Sequence, residues 1–308
     1  MVLQSSGPIK FSELRAEFNL KGTGSIKFSH YYSDATTNYT NGTSGIPVKL
    51  NNSIKMSIFY GKIMVIAAVY LYGVLNNTIT NNIILTLTNS SELTGYIIFY
   101  KNINCKILLV GSGGAGGNNI GGGGSGGSVY YNDNYNFLPS INYDFIVPGT
   151  TNTVGSIAVL KKNSATEYMV SGGKMGANGN NSNFGGIGGS VSRTITVINN
   201  VQTEFPGIGL YYVAGYSGTT NKGSGGAGAG GDSGSFGSSR EDPGPGFNIN
   251  ITGTNVAYGR GGFGGLANSV YTQSTNYGAG GNGNKINSVG QTGKQGCFII
   301  SIDKTKIN

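Results

Sequence analysis

The sequence predicts a mainly β protein: a small N-terminal repeat module, then a glycine-rich domain of short strands and packed polyproline-II helices. Three observations predict it. Of 308 residues 56 are glycine, against roughly 7% in an average protein, and 48 of them lie after Val110. Those glycines recur at every third residue within separate tracts. Between the tracts lie short runs of β-branched and aromatic residues. A helical architecture is excluded because each helical glycine costs ~1 kcal/mol relative to alanine. A collagen is excluded by the 7 prolines and by glycine confined to tracts. A disordered tail would carry more than 10% charged residues and far fewer than 19 tyrosines.

Residues 1–62 hold three copies of a short unit: Pro8-Ile9-Lys10-Phe11-Ser12, Ser25-Ile26-Lys27-Phe28-Ser29 and Ser53-Ile54-Lys55-Met56-Ser57. The two-residue period of a strand puts Ile and Phe or Met on one side and Lys on the other. The serine stands where a helix N-cap would, before Glu13-Leu14-Arg15-Ala16-Glu17-Phe18. One unit cannot bury its own apolar side, so the three are expected to pack around a shared mini-core as an anchor module. Residues 63–90 are expected to be strands that connect this module to the rest. The apolar run Ile63–Leu75 is shorter than the ~17 residues that cross a bilayer and reads as buried strand. Met1–Leu20 has no apolar run, so no secretory signal and no membrane span are expected.

Residues 91–308 form the glycine-rich domain. Strands are expected at Tyr96–Tyr100, Cys105–Val110, Tyr143–Val147, Glu167–Val170, Val191–Ile198, Leu210–Val213 and Cys297–Ile302 on propensity and length. Asn132–Asn142 reads as a spacer. The glycine tracts keep phase: Gly111, Gly114, Gly117, Gly123 and Gly126 with Ile120 as the break, then Gly173 to Gly188 and Gly225 to Gly237. Gly259 to Gly265 and Gly278 to Gly296 continue the period. Polyproline II has three residues per turn and no internal hydrogen bonds, so its N–H and C=O groups need partners on neighbouring chains. Glycine is required where the backbones touch. A linker has no reason to keep a phase. The strands opened by Cys105 and Cys297 bracket the tracts and are expected to be neighbours, with both thiols buried and free.

Chemistry is sparse. Gly111-Ser112-Gly113-Gly114-Ala115-Gly116 matches the G-x-G-x-x-G fingerprint, which needs a helix after it; the glycines that follow forbid one. Gly-Lys pairs at Lys62, Lys174 and Lys294 lack the following Ser or Thr of a phosphate loop. His30 is the one histidine, and Glu241-Asp242 beside Arg240 reads as a solvated turn. No catalytic residue, metal ligand or cofactor is therefore expected. The +8 net charge is spread singly, with Lys161-Lys162 the densest pair, so no nucleic-acid partner is expected. Asn-x-Ser/Thr triplets at Asn38, Asn76 and Asn250 follow from asparagine abundance. Tyr130-Tyr131, Tyr135, Tyr211-Tyr212 and Tyr216 either contact sugars and proteins or pack on the glycine backbones.

Lys106-Ile107-Leu108-Leu109-Val110-Gly111-Ser112-Gly113-Gly114-Ala115-Gly116-Gly117 resembles the opening strand and first glycine run of glycine-rich domains in phage tail-fibre adhesins and virion proteins of large DNA viruses. Val147-Pro148-Gly149, Asn183-Phe184-Gly185-Gly186 and Gly293-Lys294-Gln295-Gly296-Cys297-Phe298-Ile299-Ile300 are similar to later landmarks of that domain. The Ile-Lys-Phe-Ser repeats resemble short repeats at the front of such viral proteins. The resemblance implies a non-enzymatic structural protein: a fibre, a surface decoration or a minor capsid component, made in the host cytoplasm and located in the virion. Its partners would be other virion proteins or copies of itself. A host-receptor-binding adhesin, with a surface receptor or glycan as partner, is the alternative reading, and a polysaccharide-acting enzyme the third.

Overall fold

The computed structural model describes residues 67–71, 74–79, 84–179, 195–198, 201–204, 222–231, 242–266, 268 and 271–307. The repeat module 1–62 lies outside them, as do His30, Lys62, the glycines from 185 to 188 and 234 to 237, Glu241 and the run Leu210–Val213. Fourteen strands and no helix occur among the described residues.

Two six-stranded sheets face each other. The first contains β1 (Ala67–Leu71), β2 (Val74–Ile79), β4 (Leu93–Phe99), β7 (Asn142–Val147), β8 (Ala158–Lys162) and β9 (Ala165–Val170), in the order β2-β1-β4-β7-β8-β9. The second contains β3 (Ile84–Leu87), β5 (Ile103–Val110), β6 (Val129–Phe137), β10 (Ile195–Ile198), β11 (Val201–Glu204) and β14 (Cys297–Ile307), in the order β11-β10-β6-β5-β14-β3. Alternating residues of both sheets fill the space between them, with Phe99, Phe137, Tyr143, Phe145 and Phe298 fully buried. A hairpin of β12 (Phe247–Ile249) and β13 (Val256–Tyr258) covers the other side of the second sheet. It closes a second apolar cluster of Leu108, Val110, Val129, Cys297 and Ile299 with Ile249, Ile251 and Tyr258.

Most strands expected from propensity are present. β5 and β14 are antiparallel neighbours, with Cys297 opposite Val110 and Ile302 opposite Cys105. Three expectations need correction. The apolar run read as one buried strand holds β1 and the start of β2, which pair antiparallel. The supposed spacer from Asn132 belongs to β6, which runs to Phe137 in the middle of the second sheet. Asparagine has poor strand propensity, but Tyr130, Tyr135 and Phe137 gain more by burial than the asparagines lose. A register shift between Cys105 and Ile107 absorbs the extra residues. There Asn132 accepts from the Asn134 N–H at 2.9 Å and donates to the Tyr130 hydroxyl at 3.3 Å. The third correction is β8, which sequence reading passed over although Ala158-Val159-Leu160 is fully buried.

Phe137 anchors the inter-sheet core. Its ring stacks on Phe99 at 4.3 Å and meets Tyr135 and Tyr143 edge-on at 4.6 Å. Phe137→Ala is expected to lower unfolding free energy by about 3–5 kcal/mol, read as a shifted denaturation midpoint with unchanged slope.

Candidate functional site

The glycine tracts lie beyond one end of the sandwich and are neither helix nor strand. Segment 111–117 continues from β5, turns at 118–120, and returns as 121–128 into β6. Segments 171–179, 222–231, 259–266, 278–284 and 290–296 surround this pair. The hydrogen bonds of 111–117 repeat every three residues. Gly111, Gly114 and Gly117 donate to Ser128, Ser125 and Gly122; Ser112 and Ala115 donate to Ser156 and Thr153; Gly113 and Gly116 donate to Lys294 and Gln291. Each direction therefore faces one neighbour. A polyproline-II chain has the same three-residue repeat.

Segment 121–128 is the centre, and every residue in it is buried. Gly122, Ser125 and Ser128 donate to Ala177, Lys174 and Ser171, Gly123 and Gly126 to Ser224 and Ala227, and Gly124 and Gly127 to Gly281 and Gly278. Two of the three phases must be glycine. A Cβ at Gly114 would overlap the Lys174 carbonyl, and one at Gly113 the Ala279 carbonyl, each far inside the 3.0 Å limit for a real Cβ. The third phase carries Ser112, Ala115 and Asn118. Buried hydroxyls there serve as extra acceptors: Ser125 Oγ takes the Lys174 N–H and Ser112 Oγ the Ser156 N–H, both at 2.7 Å. Asn282, 1% exposed, accepts from Phe263 N–H at 2.9 Å and donates to the Tyr271 carbonyl at 2.8 Å.

This settles the phosphate-loop match. The N–H groups of Gly111, Gly113 and Gly116, which would face a pyrophosphate, are bonded to backbone carbonyls at 2.9–3.1 Å, and no helix follows. Lys174 and Lys294 sit on glycine segments, outside any such loop. Cys105 and Cys297 are buried free thiols, and desolvation pushes both pKa values up, which removes nucleophilic thiolate. Among the described residues no three His, Cys, Asp or Glu side chains converge on a metal-sized site, and no helix is long and apolar enough to cross a membrane.

Three of the tyrosines read as candidate contact residues, Tyr130, Tyr131 and Tyr135, pack in the β layers. Tyr130 and Tyr135 lie in the inter-sheet core, and Tyr131 packs against the second cluster. Tyr130 stacks on Tyr168 at 4.1 Å, and the Tyr135 hydroxyl donates a short hydrogen bond to Glu167, which crosses between the sheets. Tyr211, Tyr212 and Tyr216 are outside the described residues.

Among the described residues, an exposed apolar turn lies at the far end of the bundle, which sequence reading missed. The turn after Asn284 exposes Ile286 and Val289, the latter 76% exposed. Three asparagines pin it: Asn119 accepts from Asn287 N–H at 2.9 Å, Asn118 from Gly290 N–H at 2.7 Å, and Asn284 donates to the Val289 carbonyl at 2.7 Å. Asn119 and Asn287 adopt positive φ, which asparagine tolerates. Ile120 does so as well, at 58°, a costly conformation for a β-branched residue; it is completely buried and its N–H reaches Asn284 O at 2.8 Å. In the sequence it showed only as a break in the glycine phase.

A family model described as a glycine-rich domain matches residues 89–303, and the chain belongs to that family. A search of curated proteins found no match.

Gly124→Ala is expected to cost at least ~3 kcal/mol, because its Cβ would overlap the Gly114 and Ala115 carbonyls. Ala177→Ser, at an exposed position, is expected to stay within ~0.5 kcal/mol. Urea unfolding of both variants checks this.

Alkaline pH tests the buried phenols. Desolvation raises Tyr130 and Tyr135 well above the usual range, the next cause being hydrogen bonds to Tyr168 and Glu167 respectively, and pushes Tyr258 up to about 12. A phenol with a raised folded pKa keeps its proton longer folded than unfolded. Its stabilisation is complete below the unfolded value of about 10 and is lost as pH rises through the folded one. Denaturation midpoints are expected to hold from pH 7 to 9 and fall from pH ~10 upward, and Tyr258→Phe should reduce the fall.

Proposed function

We propose that the protein is a non-enzymatic structural component of a virion: a fibre, a surface decoration or a minor capsid protein. Its N-terminal repeats anchor it to other virion proteins or to copies of itself. The observation that carries this reading is the saturation of the central segment, where every N–H from Gly122 to Ser128 is bonded to a neighbouring segment. Such a body gives a rigid spacer and leaves one residue in three to carry a side chain. We read the segments as polyproline-II helices packed around one central member. The landmarks shared with glycine-rich domains of phage and large-virus particles, from Lys106 to Ile300, support a place in the particle.

One observation favours a host-receptor-binding adhesin as the second reading. The turn bearing Ile286 and Val289 is held rigid by three asparagine side chains and leaves both apolar groups exposed. Preorganised apolar groups suit recognition, because little entropy is lost on binding.

Mass spectrometry of purified particles is expected to recover the protein in many copies per particle. Recovery from infected-cell extract alone overturns both readings. Purified protein that binds host cells, with Val289→Asp weakening the binding about tenfold, selects the adhesin; absence of binding leaves the structural component.

A further inference from the structure

The exposed turn at the far end of the bundle stands among asparagine side chains, and the backbone decides which way each carboxamide faces. Asn118 Oδ1 accepts from Gly290 N–H at 2.7 Å, Asn119 Oδ1 from Asn287 N–H at 2.9 Å, and Asn178 Oδ1 from Asn118 N–H at 2.8 Å. Flipping any of the three would set its NH2 group against an N–H donor, so the oxygen end of each amide is fixed. The Nδ2 ends meet no acceptor among the described residues. Asn178 is exposed, and Asn118 and Asn119 are half-buried. Backbone bonds lock the same place: Gly179 N–H donates to Asn118 O at 2.9 Å, and Ser288 N–H to Lys285 O at 3.2 Å. Three donor groups are thus oriented on folding rather than on binding, which spares a ligand the cost of ordering them.

Charge points the same way as the donors. Lys285, exposed at the head of the turn, is the one charged residue of 117–121, 177–179, 265–266 and 284–290. A carboxamide donor row with one ammonium and no carboxylate selects an anionic, acceptor-rich ligand, and charge-assisted hydrogen bonds are roughly twice as strong as neutral ones. Ile286 and Val289 add an apolar contact beside the donors. Two such side chains fall far short of the ~800 Å² that a stable protein interface buries on each partner, so the ligand is small. We infer that this end of the bundle binds a sugar acid. The carboxylate of a cell-surface saccharide takes the Lys285 ammonium and the carboxamide NH2 groups, and its C–H face or acetyl methyl lies on Ile286 and Val289. A phospholipid offers the same anionic oxygens, but its acyl chains lie a headgroup away from the charge, beyond two short side chains. The inference rests on the adhesin reading, whose ligand class it names.

Saturation-transfer NMR on the full-length chain tests the site with sialyllactose and tetragalacturonate as acidic probes, lactose as the neutral control and phosphatidylserine vesicles as the lipid control. At least one acidic probe is expected to bind, and lactose is not. The Asn119→Asp, Asn178→Asp double variant keeps an acceptor for the Asn287 and Asn118 N–H groups, and so keeps the turn, but replaces two donors by negative charge. It is expected to lose affinity at least ~tenfold, and Lys285→Gln several-fold, both with the thermal midpoint of wild type. Binding of neither acidic probe overturns the inference, as does wild-type affinity in both variants. Binding of the vesicles without either sugar makes an anionic lipid the ligand and overturns it as well. Host-cell binding is read on the same samples. Cells bound equally by wild type and the double variant, with no acidic probe bound, overturn the sugar-acid inference and leave the adhesin reading. An acidic probe bound at this end without cell binding upholds the site and removes the adhesin reading instead.

Discussion

The Gly124 carbonyl oxygen accepts the Gly262 N–H at 2.8 Å while the α-carbons of Gly226 and Gly280 stand against the same atom. Contact of this kind, with three chains converging on one peptide group, governs the rest of the structure. Buried N–H and C=O groups must be paired, and each one left open costs roughly 1–3 kcal/mol. In a sheet the pairing lies in one plane and uses two neighbours. Here successive donors leave the chain in three directions, so a central segment is bonded on every side. The α-hydrogens that take the place of a Cβ point at carbonyl oxygens, which adds weak C–H···O attraction to the packing. Glycine's entropic cost, roughly 0.5–1 kcal/mol per residue, is offset because no other residue permits the approach.

A lattice of backbone has no apolar core of its own, and the sandwich supplies one. β5 runs straight into 111–117, 121–128 runs straight into β6, and 290–296 leads into β14. Those three strands are neighbours in the second sheet, so strand pairing sets the start of the central segments side by side. The aromatic inter-sheet core then holds the register from which the three-residue repeat propagates. Function follows from the same division of labour. Donors that elsewhere cradle phosphate are consumed internally, and the thiols and Tyr130, Tyr135, Tyr143 and Tyr258 are buried in the β layers. Chemistry is left to the loops and to the ends of the bundle.

Legibility in the sequence followed the physical origin of each feature. The glycine phase was readable because close backbone approach excludes every other residue type. Only one phase was seen for each tract, whereas the structure uses two; the second phase, Gly113 and Gly116 beside Gly114 and Gly117, becomes meaningful only when two different neighbours are known. β5 and β14 were readable from their β-branched runs. β6 was not, because Asn132, Asp133, Asn134 and Asn136 conceal an inward row of Tyr130, Tyr135 and Phe137. The exposed turn around Val289 was hidden for a related reason: its rigidity comes from Asn118 and Asn119, some 170 positions earlier in the chain.

The sequence by itself determined the class of the protein and where its glycines must touch, since propensity and the volume of a side chain are local properties. It also determined that the strands holding Cys105 and Cys297 bracket the tracts. Which segment became central, which residues became the two apolar layers, and which end of the bundle stayed open were decided only by tertiary structure. Those outcomes depend on which carbonyl each N–H finds, and partners lying tens to hundreds of residues apart leave no local trace.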